Sequence, residues 1–553
     1  MDALKRLIDS DAVARLRAHD ATLFDTDAAG VKLAANSMGW TDLAARAPES
    51  YAILDRLALD VTQEGVTDVV LLGMGGSSLA SLVIGEVLAE DGGVRLHVLD
   101  TTAPLTVGKA IAELDPARTL YVVASKSGGT IEPLSLYAIF REEADNELGR
   151  QAAGRRFIAI TDPDTSLAAL AVADGFRLTV SSPASVGGRF SAMTVFGLVT
   201  AALLGIDFRS LVERAAAMEA ACSLPAADNP AAALCAFIAD AQAAGRDKLT
   251  VVASPALASF GLWVEQLVAE SLGKLGTGVI PVVELSDEMP LGYGSDRAVV
   301  VLRLEGNERL AEWVPKLAAA SPVVELVLRD GFDIGAEFVR WEHAVALLGP
   351  LLGVNPFGQP NVQSAKDATA AALSGALATP PADHTTPDGT ALTFAGALPV
   401  PAHAEPSLST AVGHALGALR PHDFLCVLAY LPADDALLAP LHEAVPRVSA
   451  AMGHAVTLEL GPRYLHSTGQ LHKGGPDSGI FILVTTRDHA DVPVPGRAWC
   501  LRDLHRAQAE GDLSTLTAAG RRVLRVDLPD AGLDSVTGLA RALMDAAGVV
   551  WED

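Results

Sequence analysis

The segment WVEQLVAESLGKLGTG, residues 263–278, sets Gln266 and Glu270 four residues apart. At 3.6 residues per turn this spacing puts amide and carboxylate on one helical face, within a stretch otherwise rich in Leu, Val and Ala. A carboxylate held out of water there can serve as a base toward a carbon-bound proton. Glu265 and Lys274 of the same segment are expected on the solvent side. A matching cation stands in VGGRFSAMTVFGL, residues 186–198, where a glycine pair lets backbone approach a ligand and Arg189 lies beside Ser191.

Two glycine-rich turns supply the groups for an anion. LLGMGGSSLASLVIGEVLAE, residues 71–90, leaves an apolar run through Gly73, Gly75 and Gly76 and enters a helix expected to carry Ser77 and Ser78 in its first turn. VVASKSGGTIEPLSLYAIF, residues 122–140, repeats this logic with Ser125, Lys126, Ser127 and Thr130. Hydroxyls and backbone amides at the start of a helix suit a phosphate monoester. A dinucleotide site would compete for the first turn, but no acidic residue follows at a Rossmann position.

GMGGSSLA, SKSGGT and VGGRFSAMTVFGL, in that order, resemble the sugar-isomerase core of the phosphoglucose isomerases. The resemblance implies reversible isomerisation of glucose 6-phosphate and fructose 6-phosphate through an enediol, with Glu270 as base and Arg189 facing the developing oxyanion. It assigns Gly76, Ser77, Ser125, Lys126, Ser127 and Thr130 to the substrate, with Gln266 and Gln359 orienting its hydroxyls. VNPFGQPNVQSAKDATAAALSG, residues 354–375, resembles the family's second signature, in which Gln359 precedes the active-site Lys366 by seven residues. Gly358 stands there for a polar residue and Asn361 for a small one.

The family also uses a histidine between base helix and lysine, and LGYGSDRAVV, residues 291–300, has none. His343 lies in a helical pattern, poorly placed for ring opening. His466 and Ser467 in GPRYLHSTGQLHKGGPDSG, residues 461–479, resemble the absent segment, so His466 is expected in a Gly- and Ser-rich loop over the cleft, from the same subunit or a dimer partner. His466 and Lys366 would then open the sugar ring. This tail and CLRDLHRAQAEGD, residues 500–512, narrow the resemblance to the isomerase portion of bacterial bifunctional transaldolase/phosphoglucose isomerases, without the transaldolase activity. Alternatives are a phosphosugar-binding regulatory module and an isomerase of mannose 6-phosphate or another 6-substituted hexose.

Positioning such turns requires buried strands that each feed a helix. Short apolar, β-branched runs at 66–73, 94–100, 119–125 and 156–162 predict one parallel sheet, and those at 248–254, 277–285, 297–304 and 322–328 a second. Runs at 423–431, 455–460, 479–486 and 521–528 predict a third α/β unit. The expected fold is α/β: two doubly wound parallel-sheet domains, of sugar-isomerase type by the resemblance, plus a C-terminal α/β unit. The proline- and threonine-rich stretch 376–390 reads as an exposed linker. The divisions are 1–50 (helical), 51–210, 211–377, linker 378–390 and 391–553.

Composition narrows the partners. Across 553 residues the net charge is -26, which repels polyanions, so nucleic acid is excluded while a local phosphate site is not. No signal peptide or membrane-length apolar stretch is read, placing the chain in the cytoplasm, and a homodimer is expected. Cys222, Cys235, Cys426 and Cys500 lack CxxC spacing, and His97, His384, His403 and His489 lack ligand spacing, so no disulfide framework, metal or other cofactor is expected.

Overall fold

The computed structural model describes residues 2–284, 293–377, 380–401, 407–487 and 491–550. Three sheets organise it. The first is wholly parallel, with β1 (Asp68–Leu72), β2 (Arg95–Leu99), β3 (Thr119–Ala124), β4 (Phe157–Thr161) and β5 (Leu178–Ser181) in the order β2-β1-β3-β4-β5. β1, β3 and β4 are buried at every position, because helices cover both faces. The chain reverses its winding between β1 and β3, so the turns after these two strands flank one crevice at their carboxyl ends.

The second sheet repeats the plan with β6 (Lys248–Ala253), β7 (Ile280–Val283), β8 (Arg297–Leu304) and β9 (Val323–Leu328), ordered β7-β6-β8-β9 and parallel throughout. β8 coincides with the expected run, and β5 was not anticipated. One hydrophobic cluster runs from Ala3 to Phe357, so the helical first 50 residues and the first two sheets share a core.

The third sheet holds β10 (His384–Thr385), β11 (Ala391–Gly396), β12 (Phe424–Ala429), β13 (Ala455–Leu460), β14 (Gly479–Thr486) and β15 (Arg522–Leu528) in the order β10-β11-β15-β14-β12-β13. β12 to β15 are parallel, while β10 and β11 add antiparallel strands at one edge. This corrects the linker reading of 378–390. Thr386 closes a turn through the backbone of Thr390, and β10 pairs with β11, so part of the stretch is sheet edge. Residues 378 and 379 lie outside the described residues.

One face of β12 and β14 packs on Ala269, Ile280 and Val282 of the second unit, which brings the third sheet against the helix Ala258–Leu272. Farther along, the helices Pro360–Leu373 and Leu501–Ala518 run so close that a Cβ on Gly511 would stand 2.8 Å from the Thr369 nitrogen. Among the described residues no helix is long and apolar enough to cross a membrane.

Candidate active site

The helix Ala258–Leu272 is buried around nearly its whole circumference, and Gln266 and Glu270 share one face as their spacing requires. Gln266 Nε2 donates to Glu270 Oε2 at 3.2 Å, and Arg189 Nη1 lies 3.0 Å from Glu270 Oε1. The guanidinium also donates to Ser271 Oγ (2.8 Å), Gln359 Oε1 (3.2 Å) and the Pro356 carbonyl. Burial works against the charge on Arg189, and Glu270 opposes that effect. Glu270, Arg189, Gln266 and Gln359 therefore form one connected polar cluster.

Glycines set how closely the loops meet. Gly76 lies against the Gly188–Arg189 backbone, where an added Cβ would come within 2.2 Å of the Gly188 carbonyl carbon. Ser191 Oγ donates to the Gly76 carbonyl at 3.2 Å and ties the two turns together. Gly75 has φ +53, and a Cβ there would stand 2.5 Å from the His466 carbonyl oxygen. The helix after this turn starts at Leu79, one residue beyond its N-cap Ser78, because Gly75–Ser77 form a 3-10 turn first; Ser77 and Ser78 thus precede the helix.

The second turn ends on Thr130, N-cap of the helix Ile131–Leu148. Buried Ser125 donates to Thr130 Oγ1 at 3.0 Å, while Ser127 is exposed at the turn's rim. Lys126 departs from its expected role: its ammonium lies 2.5 Å from Asp162 and also reaches the carbonyls of Pro183 and Ala184, so the side chain braces β4 and the following loops.

The third unit reaches the site within one chain. His466 ends a 3-10 turn, Arg463–His466, and a short helix, Gly469–Gly474, follows before β14, where a Gly- and Ser-rich loop was expected. Gln266 Nε2 donates to the His466 carbonyl at 2.7 Å. The imidazole Nε2 lies 2.9 Å from Glu132 Oε1, which also accepts from Gln508 Nε2 at 2.7 Å. Burial pushes the Glu132 carboxyl up, but the charge and hydrogen bond of His466, with a smaller contribution from Lys366, outweigh it and hold the pKa below the usual carboxylate value. Lys366 stands exposed on the second turn of the helix Pro360–Leu373, and its charge acts on Glu132.

His343 is buried in the helix Ile334–Leu352, with Nδ1 on the Val339 carbonyl at 3.0 Å and its pKa lowered to about 4 by burial. Leu291, Gly292, His403 and His489 lie outside the described residues. Glu265 and Lys274 contradict the solvent-side expectation. The third sheet covers the Glu265 flank of the helix, so Glu265 meets Glu459, whereas Lys274, just past the helix end, is buried where its Nζ donates to the Asn355 carbonyl at 2.7 Å. Burial, then repulsion from Arg189, pull the Lys274 ammonium well below its usual pKa. Glu132 and Gln508 escaped the sequence reading, although an acid in the first turn of the SKSGGTIE helix was a usable signal.

A model of the family described as phosphoglucose isomerase matches residues 59–285, a span holding both glycine-rich turns, Arg189 and Glu270 but neither Lys366 nor His466. A probable glucose-6-phosphate isomerase of Haloarcula marismortui is 33% identical over 347 residues, covering 56% of this chain and 78% of that protein. A glucose-6-phosphate isomerase of Parabacteroides distasonis is 29% identical over 382 residues, covering 60% of this chain and 85% of that protein. The crystal structure of a glucose-6-phosphate isomerase from Chlamydia trachomatis shares the fold at TM-score 0.51 and 20% identity, over 64% of this chain and 78% of that one. With its two glycine-rich turns, Arg189 and the helix Ala258–Leu272 all inside the matched span, the chain belongs to the phosphoglucose isomerase family.

Proposed function

We propose that this chain interconverts glucose 6-phosphate and fructose 6-phosphate by proton transfer between C2 and C1. The buried Glu270–Arg189 pair carries this reading, since it sets a proton acceptor and a fixed cation 3.0 Å apart where the Gly76 turn meets the Gly188–Arg189 backbone. Glu270 removes the C2 proton and returns it to C1. Arg189, held by Ser271 and Gln359, stabilises the negative charge that moves onto the enediolate oxygen. Gly76, Ser77 and the hydroxyls of Ser125, Ser127 and Thr130 hold the phosphate, and Gln266 fixes the carboxylate of Glu270. His466, oriented by Glu132, exchanges a proton with the ring oxygen, and Lys366 serves at the same opening step.

Steady-state assays on glucose, fructose and mannose 6-phosphates, combined with deuterium exchange at C2, test the proposal. Wild-type protein is expected to turn over the first two. Glu270→Gln should lose about 10³-fold in kcat while binding phosphosugar within a few-fold, because the amide keeps the shape but accepts no proton. Unimpaired turnover by this variant would remove Glu270 from the mechanism. Binding without C2 exchange in the wild type would identify a phosphosugar-sensing module instead.

A further inference from the structure

A second cluster of chemically capable groups lies on the opposite flank of the base helix. Cys426 on β12 and Glu459 on β13 lie on one face of the third sheet, since Cys426 pairs in register with Thr457, two residues before Glu459. His472, on the helix Gly469–Gly474, covers that face, and its Nε2 lies 3.9 Å from Cys426 Sγ. One donor atom from each of Cys426, Glu459 and His472 lies within 4.8 Å of the other two. Glu265 arrives from the helix Ala258–Leu272 and hydrogen-bonds Glu459. All four side chains are more than nine-tenths buried.

This arrangement is costly without a ligand. His472 Nδ1 is buried with no hydrogen-bond partner, and its other ring nitrogen meets only a thiol at long range. Two carboxyl groups face each other in the same dry space, near the Arg463 guanidinium that Asp100 already engages. A buried imidazole lacking real partners beside a thiol and two carboxyls is a donor set that a borderline-soft cation satisfies.

We propose that Cys426, Glu459 and His472 bind a zinc ion, with Glu265 as fourth ligand. Zinc bond lengths of about 2.0–2.3 Å place tetrahedral donors roughly 3.3–3.7 Å apart, so closing the widest separation among Cys426, Glu459 and His472 takes about 0.7 Å from each of two side chains, while Glu265, outside that trio and held on Glu459, must turn further to complete the set. Binding displaces the thiol proton and the carboxyl protons to solvent, leaving thiolate, carboxylates and neutral imidazole on the metal. The site is closed, with no position left for water, so its role is to clamp the third sheet onto the base helix. The zinc joins Glu265, five residues before Glu270, to His472, six residues after His466.

The full chain, purified without a metal-affinity column, is expected to carry about one zinc per molecule by elemental mass spectrometry. Zinc-stripped protein titrated with Co(II) should develop a thiolate-to-cobalt charge-transfer band at one equivalent, and zinc should raise its Tm. Cys426→Ser, nearly isosteric and checked for folding by circular dichroism, should lose the charge-transfer band. His472→Gln should weaken zinc binding at least about 100-fold. Because the wild-type titration needs no variant, a misfolded mutant does not spoil the test. Absence of the band in stripped wild-type protein, or its persistence in Cys426→Ser, would overturn the assignment and leave Glu265 and Glu459 as a proton-sharing pair. Neither outcome bears on isomerisation, which is read separately.

Discussion

Glu132 fixes the orientation of His466 from a helix 334 residues earlier in the chain, and Gln508 braces the same carboxylate oxygen. If the imidazole serves ring opening, its carboxylate partner serves the same step. His466→Ala and Glu132→Gln are therefore expected to slow turnover of the cyclic sugar at least 10-fold more than hydrogen exchange on an open-chain substrate. Equal effects on both substrate forms would leave the pair structural. Local spacing and glycine context made Glu270, Gln266 and Arg189 legible in the sequence, and the resemblance of 354–375 to the family's second signature did so for Gln359. It did not expose Glu132, whose partners come from the third unit, or the burial of Glu265 and Lys274. Helical periodicity identifies a face but does not reveal that a distant sheet covers the opposite one.

At the scale of elements, the site depends on two turns whose backbones touch. An added Cβ at Gly76 would meet backbone atoms of Gly188 and Arg189, and backbone cannot swing aside as a flexible side chain can. Gly76→Ala is expected to displace Arg189 from Glu270 and lower kcat/KM at least 10-fold, whereas Gly65→Ala, at a left-handed helix end with open space around it, should cost stability and leave kcat/KM of the folded enzyme intact. Comparable kcat/KM losses in both would mean that the close approach is not functional. The strands were legible wherever apolar residues run continuously: β8, β13 and β14 fall on the expected residues. β5, β10 and β11 were not, because β5 and β10 are short and β11 lies beside the sheet edge, where the apolar run is weaker.

Across the whole molecule, acids outside the site lie within or against the common core of the first two sheets, Glu337 buried and Glu219 half-buried. Glu219 accepts from the Ala44 amide, yet burial pushes its carboxyl up to about 7. Glu337 is likewise pushed up to about 7 by burial, against the pull of Arg340. The folded state thus binds these protons more tightly than the unfolded chain. The associated stability is complete below the unfolded value near 4.5 and is lost as pH rises through about 7. Thermal unfolding should therefore show Tm declining between pH 5 and 8, and Glu219→Gln with Glu337→Gln should flatten that decline. An unchanged slope in the double variant would place the titrating groups elsewhere.

The join between Gln266 and the His466 carbonyl also has a consequence during synthesis. Translation runs from the amino end, so the first two sheets emerge and can collapse on their shared core while His466 and Gln508 have yet to be made. A nascent chain halted near residue 400 would hold Glu270 and Arg189 in a folded but unfinished cleft. The ribosome thus finishes the scaffold well before it supplies His466 and Gln508, the groups that engage Glu132.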